Sequence, residues 1–304
     1  MQLPEKVRKT LASLDGGESW LKNLPERIRE CERLWSMRIS GPLLPELSYN
    51  VILPAELEDG TEAILKIRVP HKEFFTEMTA LRAYGGKGIV RLIDSDHDLC
   101  ATLLERLSPG RMLSELVLDQ KDDAATRIAG PVIRDLHAPV PKGIDLPTVA
   151  DWCCEFDETR CLKDRPITDA MLDRAQSLFA ELDGSKECDR LIHGDLHHYN
   201  ILYDERRGWT AIDPKGLIGD PVFDTARMMH NPGHGFWERN DPRTIFARRS
   251  DILSEILEVD RNRILGWSYV DTILSWCWSL DDPDPSGNVT RGLGMAEAIY
   301  SLMD

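Results

Sequence analysis

One short segment constrains the fold of this chain more than any other. Residues 193–200 have the sequence His-Gly-Asp-Leu-His-His-Tyr-Asn, and a further Asp follows at position 213. Between Asn200 and Asp213, two short apolar stretches flank a polar turn that contains glycine, a pattern that predicts a β-hairpin. Because a hairpin brings its two ends together, we expect Asn200 and Asp213 to lie side by side, with Asp195 in the loop before them.

The spacing of Asp195 and Asn200 is that of a kinase catalytic loop. In such a loop the Asp accepts the proton of the acceptor hydroxyl, and the Asn, five residues later, binds a magnesium ion. Phosphoryl transfer from ATP depends mainly on in-line positioning and on neutralising the charge of the phosphates. The motif therefore predicts Asp195 as the catalytic base and Asn200 and Asp213 as Mg²⁺ ligands. A loop in which these residues only form turn hydrogen bonds is the alternative.

Three histidines in the same segment raise the possibility of a zinc site, because imidazole is a common zinc ligand. The segment is too short for His193, His197 and His198 to bind one ion, and no Cys or carboxylate pattern with zinc spacing accompanies them. We expect His193 to pack inside and brace the loop. His197 and His198 are expected to line the cleft or its rim.

A kinase also needs a lysine on an upstream strand to contact the phosphates of ATP. Residues 61–69 alternate apolar and polar side chains, which predicts a strand whose second face carries Lys66 beside Ile64. We predict that Lys66 contacts phosphate and that Ile64 contacts adenine. The alternative for Lys66 is a solubilising lysine on an edge strand.

Residues 71–84 have apolar side chains at helical spacing and end at a Gly-Gly pair, so they predict a helix directly after this strand. Glu73 and Glu77 lie on one face of that helix. We predict Glu77 as the partner of Lys66 because it lies in mid-helix beside the apolar stripe. Glu73, in the first turn, is explained by the favourable effect of a negative charge at a helix N-terminus.

Two further segments are candidates for nucleotide contact. The apolar strand 102–107 ends at a Ser-Pro-Gly turn, and we predict that backbone groups of Glu105 and Leu107 bind the adenine edge at the hinge between two lobes. No Gly-x-Gly-x-x-Gly motif precedes the lysine strand. The candidate phosphate loop is residues 45–50, in which Ser48 and backbone amides would replace the glycines.

These residues resemble those of the aminoglycoside phosphotransferases, and within them the branch that acts on streptomycin and hydroxyurea. Besides the 193–202 segment, the similar pieces are Ala-Ile-Asp-Pro-Lys at 211–215, Gly-Asp-Pro-x-x-Asp at 219–224, Leu-Leu-Glu-Arg-Leu at 103–107 and Leu-His-Ala-Pro at 136–139. The resemblance implies an α+β, bilobal, protein-kinase-like fold with a small sheet-containing N-lobe and a larger, mainly helical C-lobe. It also implies ATP with Mg²⁺, transfer of the γ-phosphate to a small-molecule hydroxyl, and a bracing role for Asp224.

The length of 304 residues is sufficient for two lobes with separate cores, which we place at residues 1–106 and 107–304. Helices are predicted for 1–31 with a break at Gly16-Gly17, and for 122–137, 168–182, 252–257 and 261–280. The last of these contains three tryptophans, which either pack in the core or wall a substrate pocket: Trp267, Trp276 and Trp278.

Composition restricts the partners and the compartment. The formal net charge of −15 argues against nucleic acid, because binding to phosphate backbones requires basic patches. No apolar run is long enough to span a bilayer, and the charged N-terminal residues are not those of a signal peptide. Seven cysteines without a C-x-x-C motif indicate free thiols in a reducing compartment. We therefore expect a cytoplasmic protein with neither nucleic acid nor membrane as a partner.

The same negative charge favours a cationic substrate, which acidic groups of the second lobe would attract. The weaker candidates for such contacts are Glu155, Asp157, Asp281 and Asp282, and the alternative for each is a solubilising surface charge.

Together the patterns predict an ATP- and Mg²⁺-dependent O-phosphotransferase acting on a streptomycin-like aminoglycoside or on hydroxyurea. Two alternatives use the same core residues: a metabolic kinase for an amino alcohol or sugar, and a non-catalytic nucleotide-binding regulatory module. The sequence leaves open the acceptor, the choice between ATP and GTP, and the oligomeric state.

Overall fold

The chain folds into two compact units, Met1–Gly110 and Arg111–Asp304. The structure is a computed structural model that describes residues 3–44, 49–163, 165–233, 235–280 and 286–303. The sequence places the boundary after residue 106, and the units divide after Gly110. Within the described ranges, no helix is both long and apolar enough to cross a membrane.

In the residues that the structure describes, the first unit combines a β-sheet with three helices. Its elements are α1 (Glu5–Ser13), α2 (Gly17–Leu34), β1 (Met37–Ile39), β2 (Asn50–Leu57), β3 (Glu62–Arg68), α3 (Lys72–Tyr84), β4 (Leu92–Asp96) and β5 (Ala101–Glu105). The five strands form one sheet in the order β1-β2-β3-β5-β4, with antiparallel neighbours throughout. The central strand, β3, is the one that carries Lys66, so that side chain is not at an edge.

The N-terminal helices cover the sheet with an apolar face. Trp20, Leu24 and Ile28 of α2 recur at helical spacing and join the core formed by the inward side chains of β2 and β3. The predicted break between α1 and α2 lies at Gly16, whose φ of 69° is in the left-handed region that glycine adopts without a steric penalty.

β4 runs over Leu92–Asp96 and thus begins two residues after the start of the pattern Val-Arg-Leu-Ile at 90–93, which by itself would predict a strand. β4 is an edge strand, and its register changes between Leu92 and Asp94. An edge strand needs only one buried face and tolerates polar side chains, so an apolar run is a poor marker of its limits.

The second unit is mainly helical. Its elements are β6 (Pro109–Met112, whose last two residues belong to this unit), α4 (Ser114–Leu118), α5 (Asp122–Leu136), β7 (Ala138–Pro139), α6 (Val149–Cys153), α7 (Glu155–Arg160), α8 (Asp169–Gly184), β8 (Arg190–Ile192), β9 (Ile201–Asp204), β10 (Gly208–Ala211), β11 (Leu217–Gly219), a 3₁₀ helix (Pro221–Thr225), α9 (Ala226–His230), α10 (Pro242–Leu257), α11 (Arg261–Ser279) and α12 (Ser286–Tyr300). Two small sheets, in the orders β10-β9-β6 and β11-β8-β7, flank residues 193–200.

The predicted hairpin forms from β9 and β10, which pair from Asp204 opposite Gly208 to Ala211 opposite Ile201. One further hydrogen bond, from the Ile212 N–H to the Asn200 carbonyl oxygen (2.9 Å), closes its open end. The residues before β9 and after β10 are therefore held next to each other.

The helix predicted at 252–257 is only the end of a longer one, since α10 begins at Pro242. Asp241 caps it by accepting a hydrogen bond from the Thr244 N–H (2.9 Å), and proline at the first helical position is compatible with this cap. Its periodicity is hard to recognise because one of its inward residues is charged.

That residue, Arg249, is almost completely buried and connects three elements. Its guanidinium contacts the carboxylate of Asp122 at the start of α5 (2.5 Å). Its Nη1 also donates to the carbonyl oxygens of Met228 (2.6 Å), Met229 (2.9 Å) and Asn231 (2.5 Å) at the end of α9. A single side chain thus satisfies backbone groups that a helix end leaves without partners.

We expect Arg249→Met to destabilise the second unit by about 3–5 kcal/mol, because the carboxylate of Asp122 would remain buried with only a 3.9 Å contact from Arg248. Arg127 is a matched control: it joins the same two helices by pairing with Glu255 at 3.3 Å, but its side chain is 55% exposed. Arg127→Met should cost less than about 1 kcal/mol. Urea unfolding of both variants measures the difference, and equal losses would contradict the structural role of Arg249.

Candidate active site

The phosphate-contacting lysine predicted from sequence is paired in the structure. Lys66 on β3 places its Nζ 2.6 Å from Oε1 of Glu77 on α3, and both side chains are about 95% buried, with exposures of 5% and 4%. Arg68 lies 3.7 Å from the second oxygen of Glu77 and 3.0 Å from Glu73. The predicted partner of Lys66 is therefore Glu77, and Glu73 pairs with Arg68 instead.

The other predicted nucleotide contacts of the first unit lie on β3 and β5. Ile64 is half-buried on β3, opposite Leu104. The Glu105 N–H donates to the Arg91 carbonyl oxygen (3.0 Å) and is therefore not available to bind adenine. Leu107 is buried through its side chain. Contact of these residues with a nucleotide stays a prediction.

In the second unit, one buried carboxylate holds the turn before Asp195. The oxygens of Asp224 accept hydrogen bonds from the backbone N–H groups of His193 and Gly194, both at 2.8 Å. Burial raises the pKa of Asp224, and the two N–H donors oppose that rise. The carboxylate therefore fixes the direction in which the chain leaves β8.

His193 secures the same turn from its side chain. Its Nδ1 accepts the Asp195 N–H (3.2 Å), so its Nε2 carries the proton and donates to the Ile212 carbonyl oxygen (2.8 Å). Burial lowers the pKa of His193, which keeps the ring in this neutral form. The histidine connects the loop to the end of the hairpin, as its predicted bracing role requires.

Gly194 permits this turn for two reasons. Its φ is 81°, in the region that favours glycine, and a Cβ atom there would lie 3.3 Å from Trp152 Cη2 and 3.3 Å from Leu217 Cβ. Any side chain would therefore meet both backbone strain and a crowded neighbourhood.

Asp195 itself is held at one carboxylate oxygen. Its side chain is 23% exposed, and Oδ1 lies 3.5 Å from Arg227 Nε and 3.8 Å from His197 Nε2. In the part of the chain that the structure describes, Oδ2 has no hydrogen-bond or ion-pair partner. One oxygen of the carboxylate thus lies within ion-pair distance of Arg227, without a hydrogen bond from its Nε, and the other is available to accept a proton.

Asn200 and Asp213 flank the open end of the hairpin, where the Ile212 N–H donates to the Asn200 carbonyl oxygen. Asn200 Nδ2 donates to the Asp195 carbonyl oxygen (2.9 Å), a hydrogen bond that does not use its amide oxygen. Asp213 has a φ of 61°, an uncommon value for a residue with a side chain. An amide oxygen and a carboxylate are the oxygen donors that Mg²⁺ prefers, so these two residues fit the predicted ion.

The prediction that His198 lines a cleft or its rim is wrong. His198 is completely buried, and burial holds its pKa well below the usual value. His197 is 17% exposed beside Asp195. Among the described residues, no group of three or more His, Cys, Asp or Glu side chains is arranged to hold a metal ion.

Of the four acidic residues predicted to contact a cationic substrate, two lie within the described residues. Glu155 and Asp157 both lie on α7, where Asp157 accepts a hydrogen bond from the side chain of Gln176 (2.7 Å). Three predicted site residues lie outside the described residues: Ser48, Asp281 and Asp282.

Sequence patterns did not single out Arg227. The only available signal is its position three residues after Asp224, one helical turn beyond the residue that braces the loop.

A family model described as aminoglycoside/hydroxyurea antibiotic resistance kinase matches residues 37–283, which is most of the chain. The chain belongs to this kinase family. The resemblance found from motifs is thereby confirmed, as is its assignment to the small-molecule kinases.

Two curated relatives are similar over nearly the whole kinase. Streptomycin 6-kinase of Streptomyces griseus is 34% identical over 283 residues, covering 88% of this chain and 86% of the relative. Hydroxyurea phosphotransferase of Kitasatospora aureofaciens is 33% identical over 281 residues, covering 88% of this chain and 76% of the relative.

A solved structure shows the fold of the kinase. A choline/ethanolamine kinase family protein from Mesorhizobium loti superimposes with a TM-score of 0.64 at 16% identity, covering 96% of this chain and 93% of the other. The predicted α+β, protein-kinase-like fold is confirmed, with a sheet-containing N-terminal unit.

We expect Asp224→Asn to destabilise the kinase by about 1–3 kcal/mol, because an amide has one acceptor oxygen and would leave one of the two N–H groups unsatisfied. Urea unfolding measures this loss. Asp251→Asn is a suitable control, since the side chain of Asp251 is 63% exposed on α10. Equal stability of the two variants would contradict the bracing role.

Proposed function

We propose that this kinase transfers the γ-phosphate of ATP to a hydroxyl group of a streptomycin-like aminoglycoside or of hydroxyurea. The observation that carries the proposal is the geometry of Asp195, with one carboxylate oxygen in ion-pair contact with Arg227 and the other without a partner in the described structure. A kinase base needs this arrangement, because the acceptor hydroxyl must point in a fixed direction while it attacks phosphorus.

In this mechanism Oδ2 of Asp195 accepts a hydrogen bond from the acceptor hydroxyl. As the oxygen forms its bond to the γ-phosphorus, the bond to the β,γ-bridging oxygen breaks and ADP leaves. The hydroxyl proton passes to Asp195 and then to solvent, so the products are a phosphate ester, ADP and a proton. The hydrogen bonds that Asp224 and His193 accept from backbone N–H groups keep the loop from shifting while this occurs.

Asn200 and Asp213 would hold Mg²⁺ through the amide oxygen and the carboxylate. The ion neutralises charge on the phosphates when it is bound. The hydrogen bond from Asn200 Nδ2 to the Asp195 carbonyl connects this ligand to the base, so the loop that orients the acceptor also orients a metal ligand. A hard cation suits these oxygen donors better than it suits the neighbouring histidines.

Lys66 is the proposed phosphate contact of the first unit. The ion pair with Glu77, at 2.6 Å, offsets the cost of burying the lysine and orients its side chain. We propose that Ile64 and the backbone near Glu105 and Leu107 contact the base of the nucleotide, and that Ser48 contacts its phosphates.

The substrate class rests on the curated relatives and on charge. One relative is named for streptomycin and another for hydroxyurea. The net charge of −15 would attract a guanidinium compound such as streptomycin, with Glu155, Asp157, Asp281 and Asp282 as candidate contacts. Hydroxyurea is uncharged and would depend on its N-hydroxyl group and on hydrogen bonds.

The test is ADP release by the purified kinase with ATP and Mg²⁺, across streptomycin, other aminoglycosides, hydroxyurea, amino alcohols and sugars. We expect stimulation by streptomycin or hydroxyurea, and a loss of roughly 10²- to 10⁴-fold in Asp195→Asn, the range for removal of a general base. Stimulation by an amino alcohol or sugar alone would replace the substrate class. Silence with every acceptor, in a protein that binds ATP, would reject the catalytic assignment.

A second experiment tests the metal ligand. Asn200→Ala should raise the Mg²⁺ concentration needed for half-maximal activity by roughly tenfold or more, because an oxygen ligand is lost. Asn23→Ala is the control: Asn23 also donates from its amide to a backbone carbonyl, that of Ser19 (3.1 Å), but lies exposed on α2. An unchanged Mg²⁺ requirement in Asn200→Ala would remove Asn200 from the metal site.

A further inference from the structure

Arg227 lies between two carboxylates in the second unit. It occupies the first turn of α9, and its Nε is 3.5 Å from Asp195 Oδ1 and 3.3 Å from Asp271 Oδ1. The Arg227 side chain is 14% exposed, so solvent screens these contacts only partly. One guanidinium is therefore shared by the proposed catalytic base and by a second acidic residue.

Asp271 is a charged residue in a fully buried position. It lies on α11 with a side-chain exposure of 0%, and its other oxygen contacts His230 Nε2 at 2.8 Å. Burial acts to raise the pKa of Asp271, but the charge of Arg227 and the bond to His230 outweigh it and lower the pKa. A buried carboxylate held in its charged form gives Arg227 a fixed partner behind the catalytic loop.

Two further contacts fix the guanidinium itself. Its Nη1 donates to Ser275 Oγ at 2.6 Å, one helical turn after Asp271. Its central carbon lies 5.4 Å from the ring centroid of Trp278, which packs edge to face with Trp152 at 5.1 Å. Three residues of α11 thus hold the arginine, and their spacing places all of them on one face of that helix.

We propose that Arg227 is a positioning residue for phosphoryl transfer: α11 holds its guanidinium in place, and the guanidinium holds Asp195 by Oδ1 so that Oδ2 faces the acceptor hydroxyl. This inference rests on the proposed function of Asp195. Asp271 and His230 act behind Arg227, and Trp278 and Ser275 set the orientation of its guanidinium.

The contacts of Arg227 indicate more than compensation of the buried charge of Asp271. Asp271 contacts Arg227 in an ion pair and His230 in a hydrogen bond, so its burial does not require the guanidinium to reach the catalytic loop as well. The contact with Asp195 involves Oδ1 alone. A guanidinium that bound both oxygens as a fork would occupy the acceptor's position and block the base.

The test is a double-mutant cycle in the kinase. We expect Arg227→Met to lower kcat by roughly 10²-fold, the cost of misplacing a reacting group, with the KM for ATP changed less than about threefold. Arg227→Lys should recover part of kcat, because it keeps the charge and can still reach both carboxylates. In an Asp195→Asn background, Arg227→Met should cause little further loss, since the group it positions is gone.

An exposed arginine elsewhere in the second unit serves as the control. Arg127 pairs with Glu255 on the surface at 3.3 Å, and Arg127→Met should leave kcat unchanged. An equal loss from Arg227→Met with and without Asp195 would show that Arg227 acts independently of the base, and would overturn the proposal. An unchanged kcat in Arg227→Met would overturn it too. Arg227→Lys keeps the test decisive if the methionine variant does not fold.

Crystal structures of the wild type, Arg227→Lys and Arg227→Met provide a readout that needs no activity. We expect one Asp195 conformer in the first two and a rotated or multiple conformer in the third. An Asp195 carboxylate in the same position in all three would overturn the inference. A wild type without acceptor-dependent ADP release would instead reject the proposed function, and the crystal structures would still decide the role of Arg227.

Discussion

The buried carboxylate of Asp224 is the constraint on which the candidate active site depends. It accepts hydrogen bonds from two consecutive backbone N–H groups, those of His193 and Gly194. Taking a carboxylate out of water costs several kcal/mol unless donors replace the lost hydration, and buried N–H groups carry a similar penalty when unsatisfied. The carboxylate and the two N–H groups therefore satisfy one another, and together they hold the turn between β8 and Asp195. The positions of the base, of Asn200 and of His193 all follow from that turn.

Much of this arrangement was predictable because it is local in sequence. The hairpin of β9 and β10 is specified by two apolar stretches around a polar turn, and α3 by its apolar stripe and the glycine after it. The pairing of Lys66 with Glu77 follows from a strand that alternates and a helix that begins soon after it. In each case the period of the pattern and the distance along the chain suffice to bring the side chains together.

The failures concern residues whose surroundings come from distant parts of the chain. His198 is polar yet fully buried, and Arg249 is charged yet buried beside Asp122, more than a hundred residues earlier. Such residues interrupt the apolar period, which is why only the end of α10 was recognised. Arg227 and Asp271 were missed for the same reason, since a contact between α9 and α11 leaves no trace in either segment alone. Residue propensity and spacing report on neighbours along the chain. They do not predict which charged residues pair across the tertiary structure.

Asp224 and Arg227 are only three positions apart in the sequence, and this spacing limits insertions and deletions in the segment. Asp224 fixes the backbone of the loop and Arg227 contacts the base within it, and the two residues between them, Thr225 and Ala226, are both fully buried. One inserted residue would turn Arg227 by about 100° around the helix axis, away from Asp195. A deletion would turn it by a similar angle in the opposite sense. This part of the chain can therefore vary by substitution but not by insertion or deletion. The site requires two residues between Asp224 and Arg227, just as it requires the two side chains themselves.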